Sequence, residues 1–186
     1  METNKLVADA TAVAVPPLAG VRPERLGAPT PCAGWDVATV ANHLRQVLTA
    51  LHLAARDGTV PPELWERDLA GADAAAIAAQ AVAAWERPAA AAIVMGPATM
   101  PAGVVAAMLS ADLVLHGWDL ARATGQDVAC PPAAAEAAVA FLGDFADQGR
   151  GMGLFAAPVP VPADAGALDR ALGLSGRDPA WTPRPA

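Results

Sequence analysis

The chain has 186 residues, long enough for one domain with a full core and short for two, and only 17% of them are charged. A net charge of −7 without any Lys/Arg cluster argues against nucleic acid and anionic membrane as partners. The AVILMFWYC class reaches 54%, much of it alanine, which favours tightly packed helices over strands.

In chain order, a first helix is expected from Met1 to about Val21, with Leu6, Val13 and Leu18 apolar. Pro16-Pro17 end or kink it, since an interior proline costs about 3 kcal/mol. The apolar run from Leu6 to Ala19, broken by Asp9 and the two prolines, makes a poor signal peptide and is too short to span a bilayer. Arg22 to Gly34 is a connector. A second helix runs from Val37 to about Arg56, with Asp36 as N-cap, Trp35 packing on Val40, and Asp57-Gly58 as the stop. Its core stripe is Val40, His43, Leu44, Val47 and Leu51. His52 lies about 180° round that helix from His43, at about 100° per residue, and reads as a surface histidine.

A third helix is expected over Ala72 to Arg87, with Asp73 near its start. Ile93 to Thr99 reads as a loop or a short extended piece. Pro101 suits the first position of a fourth helix that ends at Thr124 before Gly125. Pro131-Pro132 opens a fifth, to about Gln148. A Pro/Gly-rich tail follows from Gly149, with a short helix over Ala167 to Leu172. Strand-like alternation is not evident anywhere. The expectation is therefore a single all-α domain over residues 1–186: a four-helix bundle with longer crossover connections and an irregular C-terminal tail. Such folds build metal sites from side chains on facing helices.

His43 and His116 are two of only three histidines, each on a helix that reads as buried. Asp112 precedes His116 by four residues, so the two share a face about 6 Å apart. With His43 from a neighbouring helix they form a two-imidazole, one-carboxylate set. That set suits zinc with an open fourth position, and also ferrous iron or nickel. The same residues fit a second reading, in which the histidines are hydrogen-bonded core residues and Asp112 is a buried partner. Asp112 weighs against it, because its neighbours Val105, Met108, Leu109, Leu113 and Leu120 are apolar and an unpaired carboxylate there is costly.

Three segments carry a family resemblance: Thr30-Pro-Cys-Ala-Gly-Trp-Asp-Val with Asn42-His43, His116-Gly-Trp-Asp-Leu-Ala-Arg-Ala-Thr-Gly, and Gly176-Arg-Asp-Pro-Ala-Trp-Thr-Pro. Together they resemble the mycothiol-dependent maleylpyruvate isomerase N-terminal domain family, one of the DinB-like helical bundles, over nearly the whole chain. The resemblance implies a divalent metal, usually zinc, on His43, Asp112 and His116, where many members carry glutamate at the position of Asp112. It also implies mycothiol as co-substrate for isomerisation or S-transfer on a small electrophile. The isomerases proper carry a further C-terminal domain, so that particular activity does not carry over from the resemblance.

Two further readings stay open beside it: a metal-hydroxide hydrolase or rearrangement enzyme without thiol, and a non-catalytic metal-binding protein. Three protein ligands weigh against a purely structural site, which four normally close. Gln46 is a candidate for lining the pocket or orienting a ligand, and otherwise a helix-surface residue. Arg150 is a candidate for binding a carboxylate of substrate or thiol, and otherwise a solvated loop residue. Asp119 could partner a ligand imidazole or pair with Arg122. Trp35 and Trp118 read as core or pocket wall, and Cys32 and Cys130 as reduced thiols of a cytoplasmic protein. Homodimerisation through a helix face is compatible with the pattern.

Overall fold

The computed structural model describes residues 2–183; the predicted helix start at Met1 lies outside them. Helix α1 (Thr3–Ala19) buries Val7, Ala10, Thr11, Val13, Ala14, Pro17 and Leu18, the three-four spacing of one helix face. It runs through Pro16 and Pro17 and stops just beyond them, where Gly20 N–H bonds the Pro16 carbonyl at 3.1 Å. Gln126 donates to the Pro17 carbonyl at 3.1 Å, so that exposed helix end is satisfied by the chain beyond α4.

Helix α2 (Val37–Asp57) opens on Asp36, whose carboxylate accepts from Thr39 N at 2.8 Å, and closes on Gly58 at φ 68. That left-handed conformation is one a side chain disfavours. Helix α3 (Ala74–Ala84) is shorter than the predicted span, starting at the Asp73 cap and ending as Trp85 turns inward. The Trp85 indole donates to the Leu51 carbonyl at 3.0 Å, which ties α3 to α2.

The all-α expectation needs one correction, because a three-stranded sheet is present. Strand β1 (Thr59–Val60) runs parallel to β2 (Ala92–Met95), which pairs antiparallel with β3 (Ala98–Pro101). The β2–β3 hairpin turns on Gly96-Pro97, with Gly96 at φ 56 in the first turn position, where a positive φ is required. Ile93 is its fully buried anchor. Pro101 accordingly ends β3 and precedes the next helix instead of opening it.

Helix α4 (Ala102–Thr124) is the centre of the fold, packing against α1, α2 and α5. With 23 residues and a mean hydropathy of 1.4 it could cross a membrane by length and composition, but 78% of that apolar window is buried among the other helices. Helix α5 (Pro132–Gly151) extends past the predicted end, and α6 (Ala167–Leu174) packs on it through an Arg170–Glu136 pair at 2.8 Å.

At Gly117, α1 and α4 approach so closely that a Cβ would stand 3.1 Å from the Val13 carbonyl oxygen and the Ala14 Cα. Backbone, unlike a flexible side chain, cannot step aside. Gly117→Val should therefore destabilise the protein by about 1–3 kcal/mol, read as a lower denaturant midpoint at unchanged slope. An unchanged midpoint would show that the α1–α4 contact is looser than this spacing requires.

Candidate metal centre

His116 sits one helical turn beyond Asp112 on α4, and Asp119 follows three residues later on the same side. His43, on the α2 face toward α4, brings Nε2 to 3.0 Å from Asp112 Oδ2, while His116 Nε2 lies 3.3 Å from Asp112 Oδ1. The Asp112 carboxylate thus stands between the two imidazoles. The donor atoms of His43, Asp112 and His116 all lie within 4.8 Å of one another. Ligands about 2.1 Å from a tetrahedral zinc are roughly 3.4 Å apart, so only a small opening is needed to seat an ion.

On its other edge, His116 Nδ1 is 2.9 Å from Asp119 Oδ2. A carboxylate only accepts, so Nδ1 carries the proton and the neutral ring presents the Nε2 lone pair to Asp112. Lone pair and carboxylate repel unless a cation lies between them, either a proton on Nε2 or a metal ion. A carboxylate behind a histidine, fixing its tautomer, is the arrangement metal-ligating imidazoles use. By its donor chemistry the cluster fits a divalent metal.

Asp119 is fully buried, and its charge is met by Arg177: Nε reaches Oδ1 at 2.9 Å and Oδ2 at 3.1 Å, and Nη2 reaches Oδ2 at 2.8 Å. Arg177 arrives through the cap of α6. Gly176 N–H bonds the Gly173 carbonyl at 3.1 Å and Arg177 N–H the Leu172 carbonyl at 2.9 Å, with Gly176 at φ 82. This is a Schellman turn, and its glycine swings the next residue back onto the core. Arg122, the alternative partner for Asp119, instead donates to the Trp181 carbonyl at 2.7 Å.

A second group of possible ligands, Cys32, His116 and Asp119, also lies within 4.8 Å. That locus already holds a cation, since Arg177 Nη2 is 3.5 Å from His116 Nδ1 and bonded to Asp119. Burial pushes the Cys32 thiol up to about 11 against the pull of Arg177, which keeps it protonated in the metal-free protein. The His43, Asp112, His116 group is therefore the metal candidate.

Two tryptophans wall it. Trp35 stacks on His116 with centroids 5.3 Å apart and planes 11° apart, and meets His43 edge-on at 5.0 Å. Trp65 lies 6.0 Å from His43. Gln46 is buried and holds that wall: its amide donates to the carbonyls of Trp65 at 3.2 Å and Arg67 at 2.8 Å. Arg150 is engaged elsewhere, donating to the Leu174 carbonyl at 3.0 Å and pairing with Asp147. Trp118 is core, and His52 is half-buried beside Arg56, 3.3 Å from its Nη1. The residue that sequence reasoning missed is Arg177. Its signal was present, as a glycine-arginine step directly after a short helix and a buried aspartate in need of a cation.

Fold and site together define a mostly helical protein with a two-histidine, one-aspartate cluster backed by an internal ion pair. The sequence model of the mycothiol maleylpyruvate isomerase N-terminal domain matches residues 7–121. The uncharacterized proteins Rv0738 of Mycobacterium tuberculosis strain ATCC 25618 / H37Rv and MT0763 of strain CDC 1551 / Oshkosh are each 30% identical to the chain over 162 residues, 86% of this chain and 89% of theirs. The chain belongs to the mycothiol maleylpyruvate isomerase N-terminal domain family. Its fold is similar to the crystal structure of a mycothiol-dependent maleylpyruvate isomerase, with a TM-score of 0.55, 19% identity, and coverage of 80% of this chain and 71% of that one. A histidine-to-alanine mutant of that enzyme matches with a TM-score of 0.52.

The charges at the cluster set a pH dependence for the metal-free protein. Burial pushes the His43 imidazole down, but the Asp112 carboxylate outweighs it and the pKa is raised. Burial likewise pushes Asp112 up, and the two histidines with Arg177 outweigh it, bringing the carboxyl to about 2. His43 then stabilises the fold fully below its ordinary 6.5 and stops doing so as pH rises through its higher folded value. Asp112 stabilises above its ordinary 3.8 and stops as pH falls toward about 2. Denaturant midpoints of chelator-treated protein should fall on both flanks of that window, and Asp112→Asn should flatten both. Identical flanks in wild type and variant would count against the ion pair.

Proposed function

We propose that the protein is a metal-dependent enzyme that uses a small thiol, mycothiol, as co-substrate on a small electrophile, acting as an isomerase or S-transferase. The observation that carries the reading is the convergence of His43 Nε2 and His116 Nε2 on the Asp112 carboxylate, with the outer nitrogen of His116 fixed by Asp119. With neutral imidazoles the two aspartates and Arg177 leave one net negative charge, which a proton on His43 balances in the metal-free protein and a bound divalent ion would balance in its place. Zinc is the first candidate, with ferrous iron and nickel compatible with the same donors.

When bound, the ion supplies a Lewis acid that lowers the pKa of a thiol at its open position. The chain's own residues do the rest. His43 and His116 hold their Nε2 atoms toward one point, and Asp112 balances charge there. Trp35 and Trp65 keep water off the imidazoles and offer flat apolar walls to a conjugated electrophile. Burial holds Cys32 protonated in the metal-free protein, which is in keeping with a nucleophile supplied by a thiol co-substrate. The enzyme of similar fold is itself mycothiol-dependent, which supports mycothiol as that thiol. A cytoplasmic location follows from the same reading, since the thiol pool it needs is intracellular.

Elemental analysis of protein purified without tag or chelator should find about one divalent metal per chain. His43→Ala and His116→Ala should lose it while keeping their helix content by circular dichroism. Added mycothiol should then shift the visible spectrum of the cobalt-substituted protein. Full metal content with a spectrum indifferent to mycothiol would instead support hydroxide chemistry without a thiol. No metal after reconstitution with zinc and ferrous iron would sink both readings.

A further inference from the structure

Arg177 stands beyond residues 7–121, the span matched by the family's sequence model, yet its side chain is buried beside the helix that carries two of the three candidate ligands. Its guanidinium engages both oxygens of Asp119 in three contacts of 2.8 to 3.1 Å. A planar fork of that kind fixes the carboxylate plane as well as its charge. The clamped carboxylate then faces His116 Nδ1 at 2.9 Å. Unable to donate, Asp119 obliges that nitrogen to keep its proton, and the lone pair is left on Nε2.

We propose that Arg177 is a positioning residue for the metal centre. Acting through Asp119, it locks His116 in the Nδ1–H tautomer and holds Nε2 as a free donor toward His43 and Asp112. The proposal rests on the metal reading above. A site whose ligands all lie on α2 and α4 thereby depends on the seating of the C-terminal segment that follows α6. A guanidinium that merely fastened the tail to α4 would leave the tautomer of His116 indifferent to its removal.

The test measures zinc affinity by chelator competition in wild type, Arg177→Met and the double variant Asp119→Leu/Arg177→Met. Nitrogen NMR of the chelator-treated proteins reports the tautomer of His116. The double variant matters because the single one leaves Asp119 buried without a partner and could fail to fold, whereas removing both charges leaves neither stranded. Both variants should bind zinc about 10–100-fold more weakly than wild type. The double variant should recover melting temperature without recovering affinity, and the Nδ1–H signature should be found in wild type alone. A wild-type tautomer and affinity in folded Arg177→Met, where Asp119 is still present, would overturn the proposal, as would both in the double variant. Wild-type protein that takes up no zinc would overturn the metal reading instead, and the tautomer comparison would still decide what Arg177 does to His116.

Discussion

Helix α4 has to be the most enclosed helix of the fold and the carrier of Asp112, His116 and Asp119 at once. In a low-dielectric interior each of those groups needs a partner, because an unpaired buried carboxylate is far costlier than a lost contact. Spacing solves part of the problem. Steps of four and three residues put all three groups on one side of the helix, so one seam can serve them. The remaining partners come from distant parts of the chain, His43 from α2 and Arg177 from the turn after α6. The polar seam therefore dictates which elements must surround α4, and the apolar packing closes around that requirement.

The seam is graded from sealed to open. The Asp119 side chain is 0% exposed and that of His116 8%, against 18% for His43 and 29% for Asp112. The sealed end is where the Asp119–Arg177 pair fixes orientation, and the open end is where the two Nε2 atoms meet the Asp112 carboxylate. Rigidity behind and access in front are what a binding centre for an external ligand requires. Asp112, the central carboxylate, is the most accessible member of the cluster.

Much of this was legible in the chain. Asp36 and Gly58 mark the ends of α2, and the stripe that includes His43 faces inward because the same positions carry Val40, Leu44 and Val47. The four-residue step from Asp112 to His116 named the pair before any tertiary contact was known. The sheet was not legible, since strands of two and four residues are too short to show a period of two. The end of α5 was misplaced for a related reason. Gly149-Arg-Gly reads as a loop by composition, but the Phe155 ring lies where a Cβ of Gly149 would stand, 2.6 Å from it, so that glycine makes room for packing. The choice between Arg122 and Arg177 as partner of Asp119 depends on the path of the tail, which local sequence does not determine.

The same burial that builds the seam also disarms the chain's own nucleophile. Cys32 lies among the ligand atoms of His116 and Asp119, where a thiolate would be well placed to attack. Desolvation instead pushes it up to about 11, outweighing the pull of Arg177, and the Asp119 carboxylate that Arg177 pairs with adds to the rise. The Nε2 atoms of both imidazoles are likewise engaged with Asp112. An enzyme relying on Cys32 would need the opposite arrangement, an exposed thiol beside an unpaired cation. The cluster is thus open to solvent at Asp112, while the buried Asp119–Arg177 pair holds His116 from behind.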